Sequence, residues 1–448
     1  MSCLFADNMV PNINPLIKIA SLDANTYRNS TVVSKVGGVD FTLWDVIKTG
    51  LACRLNIGLL GGSGEGKSQL VADIAGLYGN NADRVLGRND LDIKSLYREL
   101  NFAKLNDAMQ SGGRVAQREL SNVTASIGKP LVAVEEINRC VEAVQNQFFN
   151  IFEGFIEIDG VNYSLGGERL ETFSGFGGDT WQRNVRYSVG VWTANIGNGK
   201  YTGTVSMDAA LKNRSHLMID VDNFVLQGSD LDAILMGSGA EIRLKDHDGA
   251  VDNTDQFASA YAHLAQKSYT PNPQELGQEL LLFRYLVLGL DYVPSESGNN
   301  SKRAMKEVWP SIAEEKNFGK DDDDKLMYRV VSPASVRTAM TVVSFARGLR
   351  EYAKAKDDKA NPKVLESVTE SFKIVGAYSG MLNNSSRVRE FHVGNPYLAA
   401  TEVATAIQTR LEARQDLMTA IVHFQSEGTA FPRKVLDECK GEYACFIS

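Results

Sequence analysis

The sequence predicts an α/β protein in which a parallel sheet sandwiched by helices carries a phosphate-binding loop, followed by an all-helical domain. Three observations predict it. Gly61-Gly62-Ser63-Gly64-Glu65-Gly66-Lys67-Ser68 follows a short apolar run and satisfies G-x-x-x-x-G-K-[ST]. Apolar segments of strand length recur at Asn56–Leu60, Leu131–Val134, Tyr187–Thr193 and Leu217–Val221, with helical patterns between them. Strands alternating with helices mean a parallel sheet covered on both faces. After about residue 223 the pattern changes to helices joined by polar loops.

Taken in order, residues 1–35 are weakly patterned and read as an N-terminal arm, and residues 36–222 as the α/β domain. Val36–Ala52 reads as a turn followed by an amphipathic helix, and Asn56–Leu60 as a buried strand. This strand delivers the chain to a loop whose backbone N–H groups must point inward, and glycine permits the positive φ and close approach that this needs. Apolar residues at helical spacing over Gln69–Tyr78 make the loop open a helix, whose N-terminal dipole favours an anion. Residues 80–128 read as polar helical stretches with glycine breaks. Leu131–Val134 is an apolar strand ending in Glu135 and Glu136, and Cys140–Phe155 a helix with Val141, Val144, Phe148, Phe149 and Phe152 on one side. Phe155–Ser164 alternates about Asp159-Gly160, a hairpin signal. Gly166–Arg186, rich in glycine and aromatics, reads as a mobile loop or a surface elaboration. Helices are expected over Gln274–Leu290, Pro333–Lys354, Pro362–Met381 and Tyr397–Phe424. They divide the remainder into a linker (223–330), a helical lid (331–425) and a tail (426–448). The acidic run Lys320–Lys325 resembles a protease-cleavable tag and reads as a solvated loop without function.

Composition narrows the partners. A length of 448 residues suggests two or three domains, and 43% apolar with 23% charged residues is ordinary for a soluble globular protein. The net charge of −8 and the lack of a Lys/Arg block argue against a wide nucleic-acid footprint, although a basic channel inside a ring would not show in the total. Cys3, Cys53, Cys140, Cys439 and Cys445 are scattered and never form CxxC, so they read as reduced thiols of an intracellular protein. None of the five histidines has ligand spacing. The first residues lack a basic stretch followed by an apolar core, so no signal peptide is expected, and Leu280–Leu290 is too short to span a bilayer and contains Arg284. The expected location is the cytoplasm, with no membrane span.

The chemistry concentrates around the loop. Residues Gly61 to Gln69 would bind a nucleotide, with Lys67 on its β/γ-phosphates and the Ser68 hydroxyl on Mg²⁺. An apolar strand ending in acids places carboxylates at the carboxyl edge of the sheet, where ligands bind in open α/β folds. Glu135 would hold Mg²⁺, mostly through water, and Glu136 would polarise the water that attacks the γ-phosphate. Glu-Glu after an apolar run is commonly surface charge; its place about seventy residues after the loop favours the functional reading. Asn195 ends the strand Val191–Asn195, where it would position water or touch the γ-phosphate, or serve as a turn residue. Arg214 follows Lys200–Asn213 and precedes a strand, where an arginine is ordinarily a solvated charge.

These stretches together resemble the AAA+ ATPases, and within them the MoxR-like branch with its gas-vesicle and Rubisco-activating relatives. The likeness is most specific in Glu135–Arg139, in the hairpin around Ile158–Gly160, and in Tyr201 and Gly203 followed by Ala210, Leu211 and Arg214. It covers residues 36–222 well and the helical remainder loosely. It implies that Gly61–Ser68 is Walker A, that Glu135 and Glu136 are the Walker B pair with Glu136 catalytic, and that Asn195 is sensor 1. It implies further that Arg214 is an arginine finger acting on ATP held by a neighbouring subunit. Ser332–Arg337 resembles the start of the sensor 2 helix, with Arg337 reaching back to the γ-phosphate. Glu135 departs from the family's usual Asp, which shifts the metal and could slow turnover. The resemblance implies an ATP- and Mg²⁺-dependent hydrolase, a hexameric ring of this chain, and a protein client, often one with a von Willebrand factor A domain. The alternatives are a nucleic-acid translocase or restriction-type motor on the same core, and a nucleotide-dependent scaffold with slow turnover.

Overall fold

The computed structural model describes residues 14–112, 121–174, 180–195, 214–238, 251–269, 334–382 and 392–413, with isolated positions between 275 and 287. The chain enters through a short helix, α1 (Leu16–Ala20), and an antiparallel hairpin of β1 (Val32–Val36) and β2 (Val39–Thr42). The hairpin corrects the expected turn and helix over 36–52. Val39 and Phe41 alternate inward as a strand, and helix α2 (Leu43–Ala52) starts only at Thr42. Thr42 closes a capping box: its hydroxyl accepts the Asp45 N–H, and the Asp45 carboxylate accepts the Thr42 N–H.

The chain continues through β3 (Ile57–Gly61), α3 (Lys67–Gly76), β4 (Ala82–Leu86), α4 (Lys94–Tyr97), β5 (Arg98–Leu100), α5 (Phe102–Ser111), β6 (Ser121–Val123), β7 (Leu131–Glu135) and α6 (Glu142–Glu153). Two hairpins follow, β8 (Phe155–Ile158) with β9 (Val161–Ser164) and β10 (Glu168–Ser174) with β11 (Thr180–Arg186), and then β12 (Val189–Asn195) and β13 (Leu217–Asp220). Five strands form one parallel sheet in the order β13-β3-β12-β7-β4. Its inner strands are apolar on both faces. Ile57, Leu59, Leu131, Ala133, Val189 and Val191 enter one core, and Leu60, Val132, Val134, Trp192 and Ala194 the other. On the second face Val144, Phe148 and Phe152 of α6 pack against the sheet. Gly58 and Gly190 make room there: a Cβ at either would lie about 2 Å from the Trp192 or Phe152 ring.

The edge strand β4 escapes a reading by hydrophobic pattern, because only Val85 in it is buried. The stretch expected to be polar and helical therefore contributes a strand to the main sheet. Likewise β10 and β11 replace the expected loop with a ladder from Glu168↔Arg186 to Ser174↔Thr180; its tip lies outside the described residues. Val141 precedes α6 and is exposed, so the buried face of that helix starts one turn later than expected.

After the sheet come α7 (Gly228–Ser238) and α8 (Thr254–Tyr269), neither expected, and then α9 (Val336–Lys356), α10 (Val364–Gly376) and α11 (Pro396–Ala413). Within the expected helix 274–290, Leu282, Leu286 and Val287 are buried against the main core, and Glu279 pairs with Arg347 and Arg350 of α9. The run 320–325, the remainder of the last helix and the tail lie outside the described residues. Cys53 and Cys140 are buried and free of disulfides. No described helix is long and apolar enough to cross a membrane.

Asp45 ties the arm, the sheet domain and α9 together. Its carboxylate accepts from Tyr352 Oη at 2.7 Å and Lys356 Nζ at 2.8 Å and lies 3.6 Å from Lys48 Nζ. Buried Lys48 in turn donates to the Ala20 and Leu22 carbonyls. Burial pushes the Asp45 pKa up, but Lys356, Tyr352, Lys48 and the Thr42 N–H outweigh it and hold it below the ordinary value. The resulting stability is fully present above the unfolded-state pKa near 3.9 and is lost as pH falls through the lower folded value. Asp45→Asn should therefore cost about 3 kcal/mol in urea unfolding at pH 7. The difference from wild type should shrink as pH falls below 4; an equal gap at pH 7 and pH 3 would contradict this role.

Candidate functional site

β3 runs buried between β12 and β13 and ends at Gly61, where the phosphate loop leaves the sheet. Gly61, Gly64 and Gly66 take φ of +149°, +92° and +76°, which L side chains rarely adopt. Gly66 sits in the left-handed region immediately before α3, so the loop turns directly into that helix's N-terminus. Ser63, Gly64, Glu65 and Ser68 are exposed, and Lys67 is buried. The Lys67 ammonium bends back to donate to the Gly61 carbonyl at 3.0 Å and to the Gly62 carbonyl. Burial lowers its pKa, against the pull of Asp222, Glu65, Glu136 and Asp220.

The carboxyl ends of the neighbouring strands supply the rest of this edge. Asn195 ends β12 in register with Gly61. Glu135 ends β7 and is paired with Arg84 of the edge strand at 2.9 Å. Glu136 leaves the strand with φ +54°, its N–H donating to the buried Thr193 hydroxyl at 2.8 Å and its carboxylate 2.9 Å from Arg139 Nε. Asn138 donates to the Asn195 carbonyl at 3.3 Å, joining the two strand ends. The loop, Lys67, Ser68, Glu135, Glu136 and Asn195 thus gather at one edge of one sheet. The available donors are hydroxyl and carboxylate oxygens, the set that suits a hard cation such as Mg²⁺ rather than zinc. Among the described residues no group of three His, Cys, Asp or Glu forms a ready-made metal cage.

Three expected site residues lie elsewhere. The Gln69 amide faces the N-terminal arm, donating to Thr26 Oγ1 at 2.6 Å and Asp73 Oδ1 at 3.2 Å. Arg214 stands at the opposite edge of the sheet: its carbonyl accepts from Asn56, which precedes β3. Five strand residues separate that edge from the loop, about 15 Å. Arg337, expected to reach back to the γ-phosphate, is at the same far edge. Glu153, the last residue of α6, lies 3.5 Å from Arg214 Nε and 3.0 Å from Arg337 Nη1. The Arg214 guanidinium also covers the Phe149 ring, 4.8 Å from its centroid.

Sequence reasoning passed over Asp222, Glu153 and the strap at Thr26–Tyr27. Asp222 carries the signal that marked Glu135, an acid just beyond an apolar strand; nothing in the local sequence marks the other two. Asp73 of α3 accepts the Thr26 N–H at 2.8 Å, the Thr26 hydroxyl at 2.9 Å and the Tyr27 N–H at 2.7 Å. This lays the Tyr27 ring beside Gly66, where a Cβ would be 3.6 Å from Tyr27 Cε2.

Residues 56–156 match the family model of the AAA domain, dynein-related subfamily. That segment spans β3, the loop, β7 and α6. The fold is that of an AAA-type P-loop NTPase. A crystal structure named "putative ATPase" from Cytophaga hutchinsonii ATCC 33406 is similar to this chain across 80% of its length and 86% of the other, with 12% identity and a TM-score of 0.50. No curated protein matches the sequence.

Asp73→Ala should free the strap from α3. In hydrogen exchange the Thr26 and Tyr27 amides should lose their protection while those of β3 and β12 keep theirs. Unchanged protection at residues 26 and 27 would show that the strap is held by other contacts.

Proposed function

We propose that this chain is an ATP-hydrolysing AAA+ subunit that works as a ring of identical copies, a hexamer, and remodels or activates a protein client. The observation that carries the reading is the gathering of the phosphate loop, Lys67, Glu136 and Asn195 at one sheet edge. The loop N–H groups and Lys67 bind the β/γ-phosphates, turning the ammonium away from the Gly61 and Gly62 carbonyls. Ser68 and Glu135 would hold Mg²⁺, which would neutralise phosphate charge. The Arg84 pair fixes the Glu135 carboxylate at the strand end, where the longer side chain takes the place of the family's Asp. Glu136 accepts the proton of the attacking water, and Arg139 and the Thr193 bond hold it in orientation. Asn195 orients that water.

Arg214 and Arg337 both stand at the far edge, paired with Glu153. Their place favours a reading in which both act on the nucleotide of an adjacent copy, with residues 331–425 as the lid that carries Arg337. The motifs shared with the MoxR-like branch support a protein client, of which a von Willebrand factor A domain is the first to test. The lack of basic runs supports a protein over a nucleic acid.

Two variants test the core of this reading. Lys67→Ala should abolish ATP binding, and unchanged affinity would overturn the site. Glu136→Gln should bind ATP as wild type does and lose about 10²–10⁴-fold in hydrolysis, the usual worth of a general base. If Glu135→Gln shows that phenotype and Glu136→Gln stays active, the two roles are exchanged.

A further inference from the structure

The turn that follows β13 reaches the phosphate loop directly. Asp222 accepts the Gly62 N–H with both carboxylate oxygens, at 3.0 and 2.8 Å. Gly61 makes the approach possible: a Cβ there would lie 2.6 Å from Asp222 Oδ1 and 2.7 Å from Val221 Cγ2. The Gly62 carbonyl accepts from Lys67. The first residues of the loop are thus gripped on the N–H side by a carboxylate and on the carbonyl side by the ammonium.

Asp222 is itself held from the helical region. Its N–H donates to Asp220 Oδ1 at 3.2 Å, the cap of this short turn. Asp220 Oδ2 accepts from Asn223 at 2.9 Å and from the Tyr378 hydroxyl at 2.5 Å. The Asp220 N–H donates to the Tyr397 hydroxyl at 2.9 Å. Tyr378 follows α10 and Tyr397 lies in the first turn of α11, their rings edge to face at 5.7 Å. Two tyrosines of the helical region therefore fix one aspartate, which caps the turn that places the other on the loop.

We propose that Asp222 is a positioning residue for the phosphate loop, and that Tyr378 and Tyr397 set its position through Asp220. A loop with four glycines in six positions has much conformational freedom to lose when its N–H groups converge on phosphate. Anchoring it in advance lowers that cost and raises affinity without adding a contact to the ligand. The proposal rests on the reading of this loop as a nucleotide site.

A double-mutant cycle read by fluorescence titration with mant-ADP and Mg²⁺ tests it. Asp222→Ala should weaken binding about tenfold, as loss of a hydrogen bond to a charged group does. Asp222→Asn keeps an acceptor for the Gly62 N–H and should bind within about threefold of wild type. Tyr378→Phe removes one hydroxyl that touches no part of the loop, yet should weaken binding about threefold. The pair Asp222→Ala with Tyr378→Phe should be no weaker than Asp222→Ala alone, because the second change has lost its route to the loop. Wild-type affinity in Tyr378→Phe, or effects that multiply in the double variant, would overturn the proposal. So would a tenfold loss in Asp222→Asn, since it would assign the effect to charge rather than position. The Tyr378→Phe arm stands on its own should Asp222→Ala fail to fold, which its thermal melt without nucleotide reveals. Lys67→Ala separates the two readings: binding retained there refutes the nucleotide site, whereas binding lost only there refutes the role of Asp222.

Discussion

Lys67 is a buried ammonium held by two loop carbonyls and attracted by four carboxylates, and the arrangement of this edge of the molecule follows from it. A lone buried cation is costly, and the loop reduces the cost by offering the Gly61 and Gly62 carbonyls. Those carbonyls face the ammonium only because the backbone at Gly61 takes a conformation closed to most side chains. Glu65, Glu136, Asp220 and Asp222 add opposite charge from the loop and from the ends of two further strands. An anion with phosphate's charge competes for the same ammonium, so the contacts that hold Lys67 are the ones a nucleotide would replace.

The sheet separates two sets of groups along the length of its strands. Loop, Glu136 and Asn195 lie where the strands end; Arg214, Arg337 and Glu153 lie where they begin. One carboxylate holds both arginines, partly exposed, with Phe149 beneath one of them. A compact single chain keeps these two sets apart. The assembly proposed above requires copies packed so that the far end of one meets the loop of the next.

The inner strands, the loop and the hairpin at Asp159-Gly160 were legible because each is local: a continuous apolar run, fixed glycine spacing or a turn dipeptide is enough to specify it. β4 was not legible, since an edge strand needs one buried residue and Val85 is all it shows. Nor was the start of α2, where the capping pair Thr42 and Asp45 outweighs a helix-like pattern that begins earlier. In the site, Lys67, Glu135, Glu136 and Asn195 stand at one sheet edge, on segments that their local sequence marks. The Gln69 amide faces the arm instead, donating to Thr26 and to Asp73 one helical turn on. The links made by Asp222, Asp73 and Glu153 join residues tens to hundreds of positions apart and leave no periodic trace.

The central claim, that the far-edge arginine completes the site of another copy, is tested most directly by mixing two inactive variants. Arg214→Ala keeps its phosphate loop, and Lys67→Ala keeps its arginine. In mixed rings a junction between an intact loop and an intact Arg214 has every group the reaction requires, and ATP hydrolysis should return in proportion to such junctions. Hydrolysis that stays absent in assemblies shown to contain both variants, or full hydrolysis by a verified monomer of the wild-type chain, would contradict the claim.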